Sequence, residues 1–120
     1  MEAQQLADRY VAVWNERDAA SRRRLIEQLW IPHGEHFVGT REVRGYDELE
    51  KRIIGSHEKN VRGNGNRFQA MTDARQLRDA VSFHWEMLRG ESDEVAAVGL
   101  EFLIVDAQGR IRTDYQFIVK

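Results

Sequence analysis

A glutamate stands inside one of the most apolar stretches of this 120-residue chain. Glu101 interrupts the run from Val95 to Val105, and a carboxylate so placed must be paired, hydrogen-bonded or protonated. Such a group can act as an acid, a base or a hydrogen-bond donor. Tyr10 comes next. It shares one helical face with Leu6, Val13 and Trp14, so its ring is expected in the core and its hydroxyl then needs a partner. His33 and His36 have a His-x-x-His spacing, but Pro32 and Gly34 argue against a helix there. The two rings would not share a face, and no metal is assigned. His36 alone fits a general base, because imidazole titrates near neutrality. His57 extends the Leu49 and Ile53 face by one turn and is expected either to point inward or to meet the terminal carbonyls of its helix.

Several other chemistries have no foothold. Cysteine is absent, which removes disulfides, thiolate nucleophiles and thiolate ligands. His57-Glu58 is followed by Val61 where a zinc-protease motif needs histidine, and Gly63-Asn64-Gly65 lacks the strand before it and the helix after it that a phosphate cradle requires. No Ser-His-Asp order is present. The reading therefore expects no metal and no organic cofactor.

The 18 basic and 20 acidic side chains leave a net charge of −2, so no broad field would gather nucleic acid or anionic lipid. Arg22-Arg23-Arg24 falls on an expected helix, where three consecutive residues point in three directions, and reads as a solvated face. Nothing at the N-terminus resembles a signal peptide, and no apolar run approaches the ~20 residues needed to cross a bilayer. Cytoplasmic residence is the default expectation, with neither nucleic acid nor membrane as partner. The length fits a single domain, 1–120.

Three amphipathic helices must position these groups. The first runs from Ala3 to Arg17. The second is capped by Asp18, carries Leu25, Ile26 and Leu29, and stops at Pro32 and Gly34. A short extended stretch, Glu35 to Val38, and a turn-rich segment, Gly39 to Gly45, lead to the third, capped by Asp47 and carrying Leu49, Ile53 and Ile54. It runs out in the loop from Val61 to Asn66. Four strands follow, at Arg67–Met71, Gln76–Leu88, Glu94–Val105 and Arg110–Val119, rich in β-branched and aromatic residues. Val81, Phe83, Trp85 and Met87 alternate with Ser82, His84 and Glu86, and a slip of one residue would reverse which set faces inward. Asp106-Ala107-Gln108-Gly109 reads as a tight hairpin. Helices followed by a run of strands is the α+β pattern.

This order resembles the nuclear transport factor 2-like superfamily, and within it the SnoaL-like branch of polyketide cyclases, to which ketosteroid isomerase is related in fold. The likeness rests on Arg9 to Asp18, Val43 to Leu49, Val81 to Glu86, Gly99 to Phe102 and Asp106 to Ile111. It implies a cone: three N-terminal helices on a curved mixed, mostly antiparallel sheet around an internal pocket. Matching the isomerase pattern, the tyrosine that donates to the substrate oxygen falls on Tyr10, the general base falls on or near His36, and the protonated carboxyl of the oxyanion hole falls on Glu101. The same match turns Asp114 inward and leaves Tyr115 and Phe117 on the outer sheet face, where relatives often dimerise. A homodimer through that face is expected.

The pocket is expected to be lined by Tyr10, Trp14, Trp30, Phe37, His57, Phe83, Trp85 and Glu101 and to hold a small, mostly apolar molecule. As an enzyme the chain would move a proton next to a carbonyl, with His36 or Asp114 as base and Tyr10 and protonated Glu101 stabilising the enolate. The alternatives are a ligand-binding or dimerisation module without chemistry and an epoxide hydrolase. The last needs an aspartate, arginine, aspartate set on adjacent strands, of which Asp114 supplies one member.

Overall fold

The spacing of apolar residues in the first helix decides where it lies. In the computed structural model, which describes Glu2–Lys120, α1 (Ala3–Asn15) buries Leu6, Ala7, Tyr10, Val11, Val13 and Trp14. These residues form a single stripe, which docks on the sheet, and each large apolar side chain withdrawn from water contributes about 1.5–3 kcal/mol. α2 (Ala19–Leu29) opens on Asp18, whose carboxylate accepts the Ser21 backbone N–H at 2.8 Å. The expected N-cap is present.

The triple arginine departs from expectation. Arg22 is buried, and its Nε and Nη2 donate to the Glu16 carbonyl at 3.0 and 2.7 Å. A cation is thereby fixed at the C-terminus of α1, where backbone carbonyls lack helical partners. Arg23 meets the carboxylates of Glu27, Asp47 and Glu50, and only Arg24 is an exposed residue of the expected kind.

β1 spans Trp30–Val38, longer than the stretch read from sequence, and contains the two residues taken as stop signals. Pro32 and Gly34 fit because β1 pairs in parallel with the last strand through a break between Trp30 and Glu35, so the missing proline N–H removes no ladder bond. The turn-rich segment holds β2 (Arg41–Arg44), antiparallel to β1, whose only buried residue is Val43. α3 (Gly45–Ser56) starts before Asp47, which sits in its first turn beside Glu48 and does not cap it. A π-helical turn, His57–Gly63, continues α3 and takes in Val61 to Gly63, the first part of the expected loop.

The strands β3 (Arg67–Ala70), β4 (Arg75–Leu77), β5 (Ala80–Leu88), β6 (Val95–Val105) and β7 (Ile111–Ile118) complete an unclosed sheet in the order β2-β1-β7-β6-β5-β3, with β4 also on β5. Every pairing except β1 with β7 is antiparallel. This is the mixed, mostly antiparallel α+β cone the sequence implied. The strand expected at Gln76–Leu88 is two strands, because Arg78 takes φ 54° between them. The hairpin from Asp106 is as expected: its Oδ1 accepts the Gln108 and Arg110 N–H groups, both at 2.9 Å, and Gly109 supplies φ 80°.

Burial settles the register of β5. Val81, Phe83 and Trp85 are buried toward the helices, leaving His84 and Glu86 on the convex side. That convex face also carries Phe102, Tyr115 and Phe117, which are 38%, 41% and 56% exposed. No helix among the described residues is long and apolar enough to cross a membrane.

Candidate functional site

β6 and β7 lie side by side and bring two carboxyl groups beneath α1. Glu101 and Asp114 are both fully buried, and the register places Asp114 opposite Leu103 and Glu101 opposite Gln116. Asp114 Oδ2 accepts the Tyr10 hydroxyl at 2.6 Å and His36 Nδ1 at 2.8 Å. A carboxylate can only accept, so the His36 proton facing it sits on Nδ1. β1 supplies His36 directly across from Asp114 through the parallel pairing. Trp85 Nε1 donates to Glu101 Oε1 at 2.9 Å.

That last bond depends on a glycine. Trp85 pairs with Gly99, and a Cβ at position 99 would sit 2.1 Å from Cζ2 of the indole. The missing side chain lets the indole lie flat on β6 and reach the carboxyl two residues along.

Two acidic oxygens are left over. Glu101 Oε2 and Asp114 Oδ1 are buried without a donor, and two ionised carboxylates cannot bond to one another. A single proton between them resolves both vacancies. Burial pushes the Glu101 carboxyl well above the usual range and the Asp114 charge pushes it further. Burial also acts upward on Asp114, but the His36 charge and hydrogen bonds from Glu101, His36 and Tyr10 outweigh it and hold Asp114 low. The pair is a carboxylic acid beside a carboxylate. Burial, then the Asp114 charge, raises the Tyr10 hydroxyl, which stays protonated.

Above Glu101 opens a cavity of about 300 Å³, space for about ten waters at ~30 Å³ each. Of the predicted lining, Tyr10, Trp14, Trp85 and Glu101 face it. The other four are corrected. Trp30 and Phe83 are sealed in the core against the Tyr10 ring, at centroid distances of 5.5 and 5.6 Å. Phe37 points to the opposite face of β1, where it packs on Tyr115 at 5.6 Å. His57 lines a separate depression with Arg17, Arg22 and Arg62. Burial, then Arg22 and Arg17, holds its imidazole below the ordinary value.

His36 and Asp114 do not reach the cavity wall. His36 lies behind the Trp14 ring, 5.7 Å away, with Nε2 unpartnered, and His33 is exposed farther along β1. His36 is thus a group behind the wall and not a base facing a ligand. Among the described residues no group of three histidine or carboxylate side chains is arranged to hold a metal ion.

The sequence reading missed the rest of the wall: Arg41 from β2; Arg52, Ser56, Lys59 and Asn60 from α3 and the turn after it; Phe68, Met87 and Gln116 from the sheet. A signal existed, since 52, 55, 56, 59 and 60 follow the helical i, i+3, i+4, i+7, i+8 rule. The epoxide hydrolase arrangement is not formed, because the arginines of the wall belong to β2 and α3 and not to a strand beside Asp114.

No protein-family model and no curated protein sequence matches the chain. Solved structures do. A candidate isomerase of the SnoaL-like family from Agrobacterium tumefaciens str. C58 superimposes with TM-score 0.88 at 22% identity, over 98% of this chain and 97% of that one. A SnoaL-like protein of unknown function from Burkholderia thailandensis E264 gives 0.73 at 14%, over 98% and 95%. A candidate polyketide cyclase from Sinorhizobium meliloti gives 0.68 at 8%, over 98% and 100%. The chain therefore shares its fold with these SnoaL-like structures.

Proposed function

We propose that this chain holds a small, mostly apolar carbonyl compound above Glu101 and moves a proton on the carbon next to that carbonyl, as a cofactor-independent isomerase or cyclase. The observation that carries the proposal is the Glu101–Asp114 pair, two carboxyls with one proton, whose Glu101 end opens on the cavity. Such a pair can give a proton to oxygen or take one from carbon without changing its total charge over a full cycle.

Glu101 passes its proton to Asp114 Oδ1, and the resulting Glu101 carboxylate takes a proton from the carbon beside the ligand carbonyl. The enolate keeps the electron pair. Glu101 then returns that proton to another carbon of the same enolate, and Asp114 gives back the one it held. Tyr10 and His36 keep Asp114 in place as positioning residues, and Trp85 orients Glu101. The likeness in fold to a candidate isomerase and a candidate polyketide cyclase supports this class of reaction.

The test is deuterium exchange into apolar cyclic ketones in heavy water, followed by NMR. The wild type is expected to accelerate exchange, and Glu101→Gln to reduce the rate by about 10²-fold or more. Equal rates in the two proteins would remove Glu101 from the reaction. A second reading, ligand binding without chemistry, is favoured by one detail: the Tyr10 hydroxyl is already satisfied by Asp114. It predicts that a ketone raises thermal stability while no deuterium enters. We assign the aromatic convex face, with Phe102, Tyr115 and Phe117, to a second copy of the chain.

A further inference from the structure

The mouth of the cavity is positive and its floor is not. Arg41 and Lys59 are exposed at the rim, and Arg52 is half-buried in the wall with its guanidinium 5.2 Å over the Trp14 ring. Among the described residues these three cations form no ion pair. Elsewhere the chain finds counter-ions readily: Arg23 takes Glu27, Asp47 and Glu50, Arg44 takes Glu35, and Arg89 takes Glu94. With 20 acidic side chains available, the three at the mouth are unmatched by placement and not by shortage.

Their surroundings make the imbalance costly. Arg52 Nε is buried and has no acceptor. Burial, and after it the neighbouring Arg41 charge, works against the Arg52 cation. Glu101, the carboxyl that faces the cavity, is held neutral, and the Asp114 carboxylate, bonded to Tyr10 and His36 behind the wall, favours the Arg52 cation but does not outweigh burial and Arg41. A concave site of one sign concentrates ligands of the other, and a half-buried guanidinium whose Nε lacks an acceptor suits a planar carboxylate. Between mouth and floor the wall presents the apolar side chains of Trp14, Phe68, Trp85 and Met87.

We propose that the ligand is an organic carboxylate with an apolar body, bound with its carboxylate between Arg52 and Arg41, Lys59 nearby, and its carbonyl at Glu101. This inference rests on the proposed pocket and adds the charge and direction of its occupant. The helical register carries it: Arg52, Ser56 and Lys59 project from one side of α3 and the π-helical turn, over the opening.

The test uses phenylbutyrate and the uncharged phenylbutyramide, titrated by calorimetry at low and high salt. The carboxylate is expected to bind at least about tenfold more tightly than the amide at low salt, with the advantage shrinking as salt rises. Arg41→Gln, at an exposed position, should remove part of that advantage while leaving the amide affinity within about twofold, and Arg41→Gln with Arg52→Gln should bring the acid and the amide to nearly equal affinity. An amide that binds as well as the acid, or an acid whose affinity ignores both substitutions, overturns the inference and leaves the pocket reading standing. If neither compound binds the wild type, the pocket reading and the inference fall together.

Discussion

Arg22 and Glu101 are both charged-type side chains withdrawn from water, 5% and 0% exposed, yet they are buried on different terms. Arg22 sits at the corner of α1 and α2 with its guanidinium on the Glu16 carbonyl, close also to that of Arg17 at 3.4 Å, and none of its nitrogens is a buried orphan. Glu101 has one oxygen on Trp85 and another without a donor unless a proton is added. The first arrangement completes a helix end. The second leaves a group that can exchange protons, next to a cavity. Burial alone does not mark a functional residue; the unfilled hydrogen-bonding capacity that remains after burial does.

The strongest way to break this contrast is to remove the carboxylate that the pocket floor shares. Asp114→Ala strands the Tyr10 hydroxyl, the His36 N–H and the Glu101 proton together, and should cost about 3–5 kcal/mol in urea unfolding. A loss below ~1 kcal/mol would mean the cluster is not the tightly bonded unit described. Arg22→Met should follow at about 1.5–3 kcal/mol, because carbonyls at the end of α1 lose a charged donor. Ligand affinity should be unchanged in that variant, and a fall in affinity out of proportion to stability would erase the distinction between the two sites.

Gly99→Ala sharpens the comparison from the packing side. The new methyl group must displace the Trp85 indole, costing about 1–3 kcal/mol and detaching the donor from Glu101, so both stability and exchange rate should drop. Unchanged indole fluorescence and unchanged rate would show that the ring does not depend on that glycine.

Glu101→Gln is expected to have the smallest effect on stability, under ~1 kcal/mol near pH 5, and its sign depends on pH. The native state raises the Glu101 carboxyl above its unfolded value near 4.5, so it keeps a proton that the unfolded chain releases. The stability linked to that proton is complete below about 4.5 and is lost as pH rises toward the folded value. Glutamine has no proton to lose, so the variant should gain on the wild type as pH goes from about 5 to about 8. Parallel stability curves would contradict a raised carboxyl.

Residue periodicity made much of this legible beforehand. The α1 stripe and the alternation in β5 announced their buried faces because one side of each is wholly apolar, and Glu101 stood out because its strand is otherwise apolar. Tyr10 could be placed for the same reason. β2 could not, since Arg41-Glu42-Val43-Arg44 has one apolar residue and its strand state comes from pairing with β1. Pro32 and Gly34 misled because only a break in the parallel ladder, a tertiary feature, tolerates them. His36 was placed in the right neighbourhood but on the wrong side of the wall, because a strand's sequence gives its alternation and not what lies in front of each face. The cations at the mouth were invisible for a related reason: on a helix, a charge facing solvent and a charge facing a water-filled cavity look the same.

One proton is held between Glu101 and Asp114, and selective ¹³C labelling of the glutamate side chains allows it to be read directly. An NMR titration of the Glu101 carboxyl carbon should show the protonated form persisting well above the ordinary range, with no step near 4.5. A carboxyl that titrates there, as exposed glutamates do, would show that it is ionised beside Asp114 and would contradict the acid–carboxylate pair.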